Sequence, residues 1–355
     1  MRVDMHMPVI DGHNDTLLNL YLVERGGGRS FFNRSDIGHI DLPRARQGGL
    51  AAGFFSLFVP HQANNVQGGF DITQSGKNIK VAPPVDFHYA RDMTHALMAS
   101  LFRLVSLSGG QMKIVHNSDE LAACMDTGTL AVIMHLEGAE AIDPRLETLE
   151  VFYQAGLRSL GITWSRPNIF GYGAPFIFPH SPDTGEGLTD YGKRLVRACN
   201  EMNIMIDCAH LNEKGFWDVA SLSDTPLVVT HSGAHRLCPS SRNLTDSQID
   251  AIGASGGIIG VTFFVRDLRP DGRIDENTSL KQIAEHISYI AGRIGIDHVG
   301  FGSDFDGARV PKDLGDVTGL PRLVAELQKQ GLDREALEKI THKNWIRVLR
   351  KTWQN

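Results

Sequence analysis

The chain is poor in cysteine, in net charge and in long apolar runs, and each shortage excludes a class of protein. Its four cysteines lack the Cys-x-x-Cys spacing of a metal site and are expected to be reduced thiols in a cytoplasmic protein. The formal net charge is only -6, which gives no electrostatic reason to expect nucleic acid or a membrane as partner. No apolar run approaches the roughly 18 residues that span a bilayer, and no signal peptide is expected.

The chain has 355 residues, of which 42% are hydrophobic, and this is enough to form a large core. Strand-like and helix-like stretches alternate, and about eight of them are strand-like, which is the number that a TIM (β/α)₈ barrel needs. No linker divides the chain, so residues 1–355 are predicted to form one catalytic domain with C-terminal helices packed on the barrel. A doubly wound open sheet is the structural alternative. The predicted strands are 8–10, 50–59, 130–136, 157–164, 204–209, 227–230, 257–263 and 298–303.

Apolar residues at helical spacing predict the intervening helices. The main ones are 85–107, 145–154, 189–202, 213–220, 280–293, 321–330 and 334–350, with shorter ones starting near 118 and 245. Two segments, 64–80 and 165–187, show no periodicity and are predicted to be surface loops that shape a site.

The first candidate site residues lie in the motif Asp11-Gly12-His13-Asn14-Asp15, which closes the first strand. His13 and Asp15 are two positions apart, so their side chains point the same way if the strand continues. An imidazole and a carboxylate that project together make half of a site for a divalent ion.

Further candidate ligands follow other predicted strands. Glu137 follows an apolar strand, and a glutamate has two oxygens that can bridge two ions. His210 and His231 end two successive strands at the same relative position, and Asp304 ends the last. All would face the C-terminal end of a barrel, where the active sites of TIM barrels lie. Taken singly, each could instead be a strand-end cap or a hydrogen-bonded core residue.

Together these residues suit two metal ions that share a bridging carboxylate and a water. Zinc lowers the pKa of a bound water toward about 7, which supplies hydroxide at neutral pH. Asp304 would take the proton and pass it to the leaving group. The predicted reaction is therefore hydrolysis of an amide or a related bond. His135 and Asp207 stand off the strand-end positions and are predicted to be structural.

In these motifs the sequence resembles the renal (membrane) dipeptidase family, peptidase family M19, of the metal-dependent amidohydrolase superfamily. The resemblance extends from residue 11 to residue 307, nearly the whole chain. The motifs that carry it are Asp11-Gly12-His13-Asn14-Asp15, Glu137-Gly138, the His210 and His231 strand ends, Ser241-Arg242-Asn243 and Gly302-Ser303-Asp304-Phe305-Asp306-Gly307.

The resemblance implies one zinc ion held by His13, Asp15 and Glu137. A second zinc ion would be held by Glu137, His210 and His231. Glu137 would thus take part in catalysis as the bridging ligand. A homodimer is expected from the resemblance alone.

The resemblance also implies roles in substrate binding. Asp304 matches the acid/base, which lies near the substrate's free amine, and Arg242 matches the arginine that binds the substrate carboxylate or polarised carbonyl. Without the resemblance, Arg242 would be read as a solvated side chain. Trp164 stands where the family has a histidine that polarises the scissile carbonyl. Trp164 could donate a hydrogen bond to that carbonyl from its indole N–H, or it could only line the pocket. His235 or His180 could instead take the role of the family's histidine.

The expected function is a zinc-dependent dipeptidase acting on L-X–L or L-X–D dipeptides. Trp164 motivates an alternative within enzymes, an amidohydrolase acting on another bond such as that of an N-acyl amino acid or a lactam. A third hypothesis, from a different class, is a barrel that binds a small ligand without catalysis.

Overall fold

The computed structural model describes residues 7–26, 28–62 and 82–353, and these contain nine strands in one parallel sheet. Eight strands close into a barrel, because β2 pairs with both β1 and β4 while β9 pairs with β1. The ninth, β3, pairs with the start of β4 outside this ring. The strands are β1 Val9–Asn14, β2 Leu50–Phe58, β3 Met112–Ile114, β4 Leu130–Glu137, β5 Leu157–Gly161, β6 Met205–Asp207, β7 Val228–Ser232, β8 Ile258–Val261 and β9 Val299–Phe301.

Helices surround the barrel and confirm the predicted (β/α)₈ fold. They are α1 Thr16–Tyr21, α2 Val23–Gly26, α3 Leu42–Gly48, α4 Phe87–Leu107, α5 Ser118–Thr127, α6 Glu147–Gln154, α7 Asp190–Glu201, α8 Glu213–Leu222, α9 Asp246–Ala254, α10 Val265–Leu268, α11 Leu280–Ile294, α12 Leu320–Lys329, α13 Arg334–Glu338 and α14 Asn344–Trp353. Short 3₁₀ turns cover Ile296–His298 and Val317–Gly319, and a π turn covers Lys339–Lys343. Among the residues described, no helix is long and apolar enough to cross a membrane.

The barrel strands form where the sequence has nearly unbroken apolar runs. Every residue of β4 is buried, and so is every residue of β1, because parallel strands are covered by helices on one face and fill the barrel on the other. The strand β1 continues to Asn14, beyond the predicted run 8–10, and so carries His13 within it. The predicted strand 157–164 stops at Gly161, after which the chain bends toward the loop.

The sequence-based prediction missed several short elements. The helices α1, α2, α3 and α10 and the strand β3 are seven residues long or shorter, too short for a periodicity to stand out. The predicted loop 165–187 contains no helix or strand, as expected. The predicted loop 64–80 lies outside the described residues. The helix predicted at 334–350 is divided into α13 and α14 by the π turn.

The last helix closes one end of the barrel. Trp345 of α14 is fully buried, and its indole N–H donates to the Phe301 carbonyl at 3.1 Å. Its ring lies 5.0 Å from that of Phe54, centroid to centroid, among interior side chains such as Ile10 and Ile133. The N-terminal end of the barrel is therefore filled with apolar side chains.

The interior also depends on two close approaches of backbone to backbone. A Cβ atom at Gly260 of β8, or at Gly302 just after β9, would overlap the carbonyl oxygen of Thr230 in β7. Only glycine allows these strands to come so near, and the overlap cannot be relieved by moving a side chain.

We expect Gly260→Ala to lower the free energy of unfolding by about 1–3 kcal/mol, because the added methyl group overlaps the Thr230 backbone. The matched control is Gly292→Ala on α11, where nothing lies within 4 Å of the new Cβ. That change should stabilise the protein by about 0.5–1 kcal/mol, since alanine favours a helix over glycine. Urea unfolding midpoints of the two variants measure both effects. Equal midpoints would contradict the overlap at Gly260.

Candidate metal centre

Five predicted ligands converge at the C-terminal end of the barrel. Glu137 Oε2 lies 3.5 Å from His13 Nε2, and Glu137 Oε1 lies 3.1 Å from His210 Nε2 and 3.9 Å from His231 Nε2. Asp15 Oδ2 is 3.8 Å from His13 Nε2, and the Nε2 atoms of His210 and His231 are 2.9 Å apart. We call these residues the five-residue cluster. Glu137 stands at its centre, with one oxygen toward each half.

The ends of the strands place these side chains. His13, Glu137 and His231 lie within the last residues of β1, β4 and β7. His210 and Asp304 follow β6 and β9 in left-handed backbone conformations, with φ of 64° and 59°. Such angles are uncommon for residues other than glycine and are found at functional sites. They turn both side chains back over the end of the barrel.

Unpaired atoms show that the cluster fits a metal ion. Among the described residues, the buried atoms Nδ1 and Nε2 of His13 and Oδ1 of Asp15 have no hydrogen-bond partner. Buried polar groups rarely remain unpaired in a folded protein. Ligand atoms of His13, Glu137 and His231 lie within 4.8 Å of one another, as do those of His13, Asp15 and Asp304. Nitrogen and carboxylate donors so close together are the ligand set that zinc takes in proteins.

Burial sets the protonation of the histidines. It lowers the pKa of His210 and of His231 well below the usual value, and the nearby charges of Arg242 and His13 lower both further. Both rings are therefore neutral, which is the form that binds a metal. Burial opposes the charged form of His13 as well, but the carboxylates of Glu137 and Asp15 together outweigh burial and raise the pKa of His13 well above its usual value.

The carboxyl groups lack sufficient positive charge around them. Burial raises the pKa of Glu137, and it raises that of Asp304 well above its usual value, with help from Asp15 and Glu137. His13 opposes both shifts. A divalent cation would supply the missing positive charge and keep these groups ionised.

Hydroxyl groups orient three members of the cluster. Ser165 Oγ lies 2.7 Å from His210 Nδ1, and Thr230 Oγ1 lies 2.9 Å from His231 Nδ1. Ser56 donates to Glu137 Oε2 at 3.1 Å. The sequence-based prediction missed all three, since no local pattern separates them from other buried serines and threonines.

Asp11 joins the first strand to the last. Its two carboxylate oxygens accept the backbone N–H and the hydroxyl of Ser303 at 2.7 and 2.8 Å. The backbone N–H of Asp304 donates to the His13 carbonyl at 3.0 Å. Burial raises the pKa of Asp11 to about 6. The first residue of the N-terminal motif therefore brings Asp304 beside His13.

Arg242 lies in the loop that follows β7. Its side chain is only 6% exposed, yet no carboxylate lies within 4.0 Å of it among the described residues, and its Nε has no partner. The carboxylates of Asp267 and Asp304 act on it from a greater distance, and its guanidinium carbon lies 5.8 Å from the ring centroid of Phe176. A buried guanidinium without a direct ion pair is suited to bind an anionic group of a ligand.

Trp164 lies beside the cluster. Its ring centroid is 5.7 Å from that of His210, 5.1 Å from Phe58 and 5.8 Å from Phe176. The guanidinium carbon of Arg166, which is paired with a buried glutamate, lies 5.3 Å from it. Trp164 therefore belongs to an aromatic wall next to a candidate ligand.

The two alternative histidines are hydrogen-bonded to backbone carbonyl groups of the loop after β5. His235 Nε2 lies 3.0 Å from the backbone carbonyl of His180, and His180 Nδ1 lies 2.6 Å from the Ser181 carbonyl. These contacts occupy one ring nitrogen of each with loop backbone.

A buried histidine supports the loop that carries Arg242. His286 Nδ1 accepts the N–H of Ala234 at 3.0 Å, and His286 Nε2 donates to the Leu268 carbonyl at 3.1 Å. Accepting at Nδ1 requires a neutral ring, and burial lowers the pKa of His286 to about 4. His286 thus ties α11 to the loop after β7 and to α10.

A parallel (β/α)₈ barrel with buried histidines and carboxylates at its C-terminal end is the arrangement of a metal-dependent hydrolase, and the family comparison identifies the chain as one. The model of the membrane dipeptidase family, peptidase family M19, matches residues 1–355. The chain therefore belongs to this family and is a metallo-dipeptidase.

Individual relatives include a metallo peptidase and a dipeptidase. A metallo peptidase from Rhodobacter sphaeroides, solved with a phosphinate mimic of the dipeptide L-Ala-D-Ala, is 43% identical, with a TM-score of 0.93 over 98% of this chain and 99% of that one. Dipeptidase tcpJ of Claviceps purpurea is 29% identical over 96% of this chain and 76% of its own length. A Klebsiella pneumoniae protein encoded in the pqqA 5′ region is 45% identical over 74% of this chain and 97% of its own length.

The neutral state of His286 should make the protein less stable in acid. Its pKa is about 4 in the folded protein and about 6.5 when unfolded, so between these values the unfolded chain binds more protons. The stabilisation is complete above pH 6.5 and is lost as the pH falls toward 4. Between pH 7 and pH 5 the loss is roughly 2 kcal/mol.

The comparison is with His286→Gln, whose amide can make both hydrogen bonds without titrating. Urea unfolding at pH 7 and pH 5 should show a smaller acid-induced loss in His286→Gln than in the native protein. Equal losses would mean that His286 is not held neutral.

Proposed function

We propose that this protein hydrolyses dipeptides with two zinc ions. One ion would be held by His13, Asp15 and Glu137, and the other by Glu137, His210 and His231. The observation that carries the proposal is the central position of Glu137, which directs one buried oxygen toward His13 and the other toward His210 and His231. A single carboxylate placed in this way suits a bridge between two ions.

When bound, the two ions would activate a water molecule and polarise the scissile carbonyl. Asp304 would accept the water's proton on a carboxylate oxygen and deliver it to the leaving amine nitrogen. Asp304 lies beside Asp15 and His13 and would also be near the free amine of the substrate.

Arg242 would anchor the C-terminal carboxylate of the dipeptide. Its burial and the absence of a carboxylate within 4.0 Å, among the described residues, leave it available for such a partner. The relative from Rhodobacter sphaeroides binds a mimic of L-Ala-D-Ala, which supports acceptance of a D-residue at the second position. Trp164, beside His210, would line the pocket on the side where the scissile carbonyl is bound.

The test is amino-acid release from a panel of L-L and L-D dipeptides by zinc-loaded protein, with chelated protein as control. We expect turnover that is lost on chelation and restored by zinc, and that extends to L-D members. N-acetylated dipeptides should be poor substrates, because a dipeptidase recognises the free amine. Metal-dependent turnover confined to N-acetylated compounds or lactams would replace the dipeptide proposal by the alternative that Trp164 motivates.

The role of Asp304 is tested by Asp304→Asn, which keeps the shape of the side chain but removes its basicity. We expect kcat to fall by roughly 10²–10⁴-fold, because the proton transfer loses its base. Zinc content should be unchanged. The matched control is Asp126→Asn at an exposed position on α5, which should keep full activity. A fall in zinc content with Asp304→Asn would make Asp304 a ligand instead of an acid/base.

A further inference from the structure

A chain of hydrogen bonds leads from Asp207, inside the barrel, to the candidate ligand His231. Thr230 Oγ1 donates to Asp207 Oδ2 at 2.6 Å, and the same Oγ1 lies 2.9 Å from His231 Nδ1. Asp207 is 1% exposed and Thr230 is fully buried, so water does not compete for these contacts.

The direction of each hydrogen bond follows from counting hydrogens. Asp207 Oδ1 accepts the backbone N–H groups of Ala209 at 2.9 Å and of Thr230 at 2.8 Å, which fixes the orientation of the carboxylate. A threonine hydroxyl has one hydrogen, and with Asp207 as the ionised carboxylate this hydrogen is directed at Oδ2, which has none of its own. Only a lone pair of Thr230 Oγ1 then remains for His231, so His231 Nδ1 must carry a hydrogen and donate it.

From this geometry we infer that Asp207, acting through Thr230, is a positioning residue that fixes the tautomer of His231. With its hydrogen on Nδ1, neutral His231 presents the lone pair of Nε2 toward Glu137 and His210, where a metal ion would bind. The inference rests on the metal centre proposed above. It gives a role to Asp207, which the sequence-based prediction took as structural only.

The backbone around Thr230 is closely packed. Gly260 and Gly302 lie so close to the Thr230 carbonyl that neither position has room for a side chain. His210 differs, because its partner Ser165 makes no second side-chain hydrogen bond among the described residues. The Ser165 hydroxyl can therefore donate or accept, so it does not fix the tautomer of His210.

The first variant, Thr230→Val, keeps the side-chain shape and removes the hydroxyl. We expect its zinc affinity to fall by about 10–100-fold, the usual effect of losing a partner behind a metal ligand. Thr230→Ser restores the hydroxyl and should restore most of the affinity. Zinc alone is the probe, and competition with a chromophoric chelator measures the affinity without relying on activity.

The second variant, Asp207→Asn, inverts the chain of hydrogen bonds. The two backbone N–H groups would hold the amide oxygen in the place of Oδ1, so the amide nitrogen would face Thr230 and donate to it. The Thr230 hydroxyl must then donate to His231 Nδ1, which moves the ring hydrogen to Nε2 and blocks the metal-binding nitrogen. We expect a loss of zinc affinity at least as large as that of Thr230→Val.

The matched control is Thr94→Val on α4, a buried threonine whose hydroxyl has no partner among the described residues. It should bind zinc as the native protein does, and thermal unfolding of each metal-free variant shows that it is folded. Failure of the native protein to bind zinc would overturn the metal centre itself. Equal affinities for Thr230→Val and Thr94→Val, or a folded Thr230→Ser that does not recover affinity, would overturn the role of the hydroxyl.

Discussion

The rest of the site depends on one buried carboxylate. Glu137 is 4% exposed at the end of β4, and its two oxygens face His13 on one side and His210 and His231 on the other. A charge buried so deeply is costly unless positive charge compensates it. Of the three histidines around it, His13 alone supplies positive charge, since burial keeps His210 and His231 neutral. Bound cations would therefore compensate the charge of Glu137 best, and the neutral rings of His210 and His231 are in the form that binds them.

The barrel separates stability from chemistry along its axis. At the N-terminal end, Trp345 and the side chains around it fill the interior with apolar contacts. At the C-terminal end, the chain adopts left-handed conformations at His210 and Asp304. Strain of this kind persists only where a rigid scaffold supports it. The packed end of the barrel provides that scaffold. The hydrogen bonds from Ser303 to Asp11 hold the residue before Asp304 against the first strand.

The surroundings of the cluster explain how a substrate could be recognised. Arg242 is held in a buried position by a loop that His286 ties to α10 and α11. Trp164, in the loop that follows β5, lies beside His210, with Phe58 and Phe176 around it. An anionic anchor on one side and an aromatic wall on the other suit a small molecule with one charged end.

Much of the architecture could be predicted from the sequence, because its signals are local. Buried parallel strands need unbroken apolar runs, so β2 and β4 can be recognised in the sequence. The alternation of such runs with helical patterns is enough to predict the barrel, which the structure confirms. Candidate ligands are evident for a related reason, since a polar residue directly after such a run must lie at a strand end. Short elements such as α10 and β3 were missed because they contain too few residues to show a period.

By itself, then, the sequence determined the family, the barrel and the candidate ligands, since each is indicated by short motifs and local patterns along the chain. Only the tertiary structure decided which side chains support those ligands. Thr230, Asp207 and Ser165 look like ordinary buried polar residues in the sequence, and they gain their meaning from partners on other strands. A hydrogen bond depends on distance and direction in space, and the folded chain alone sets these.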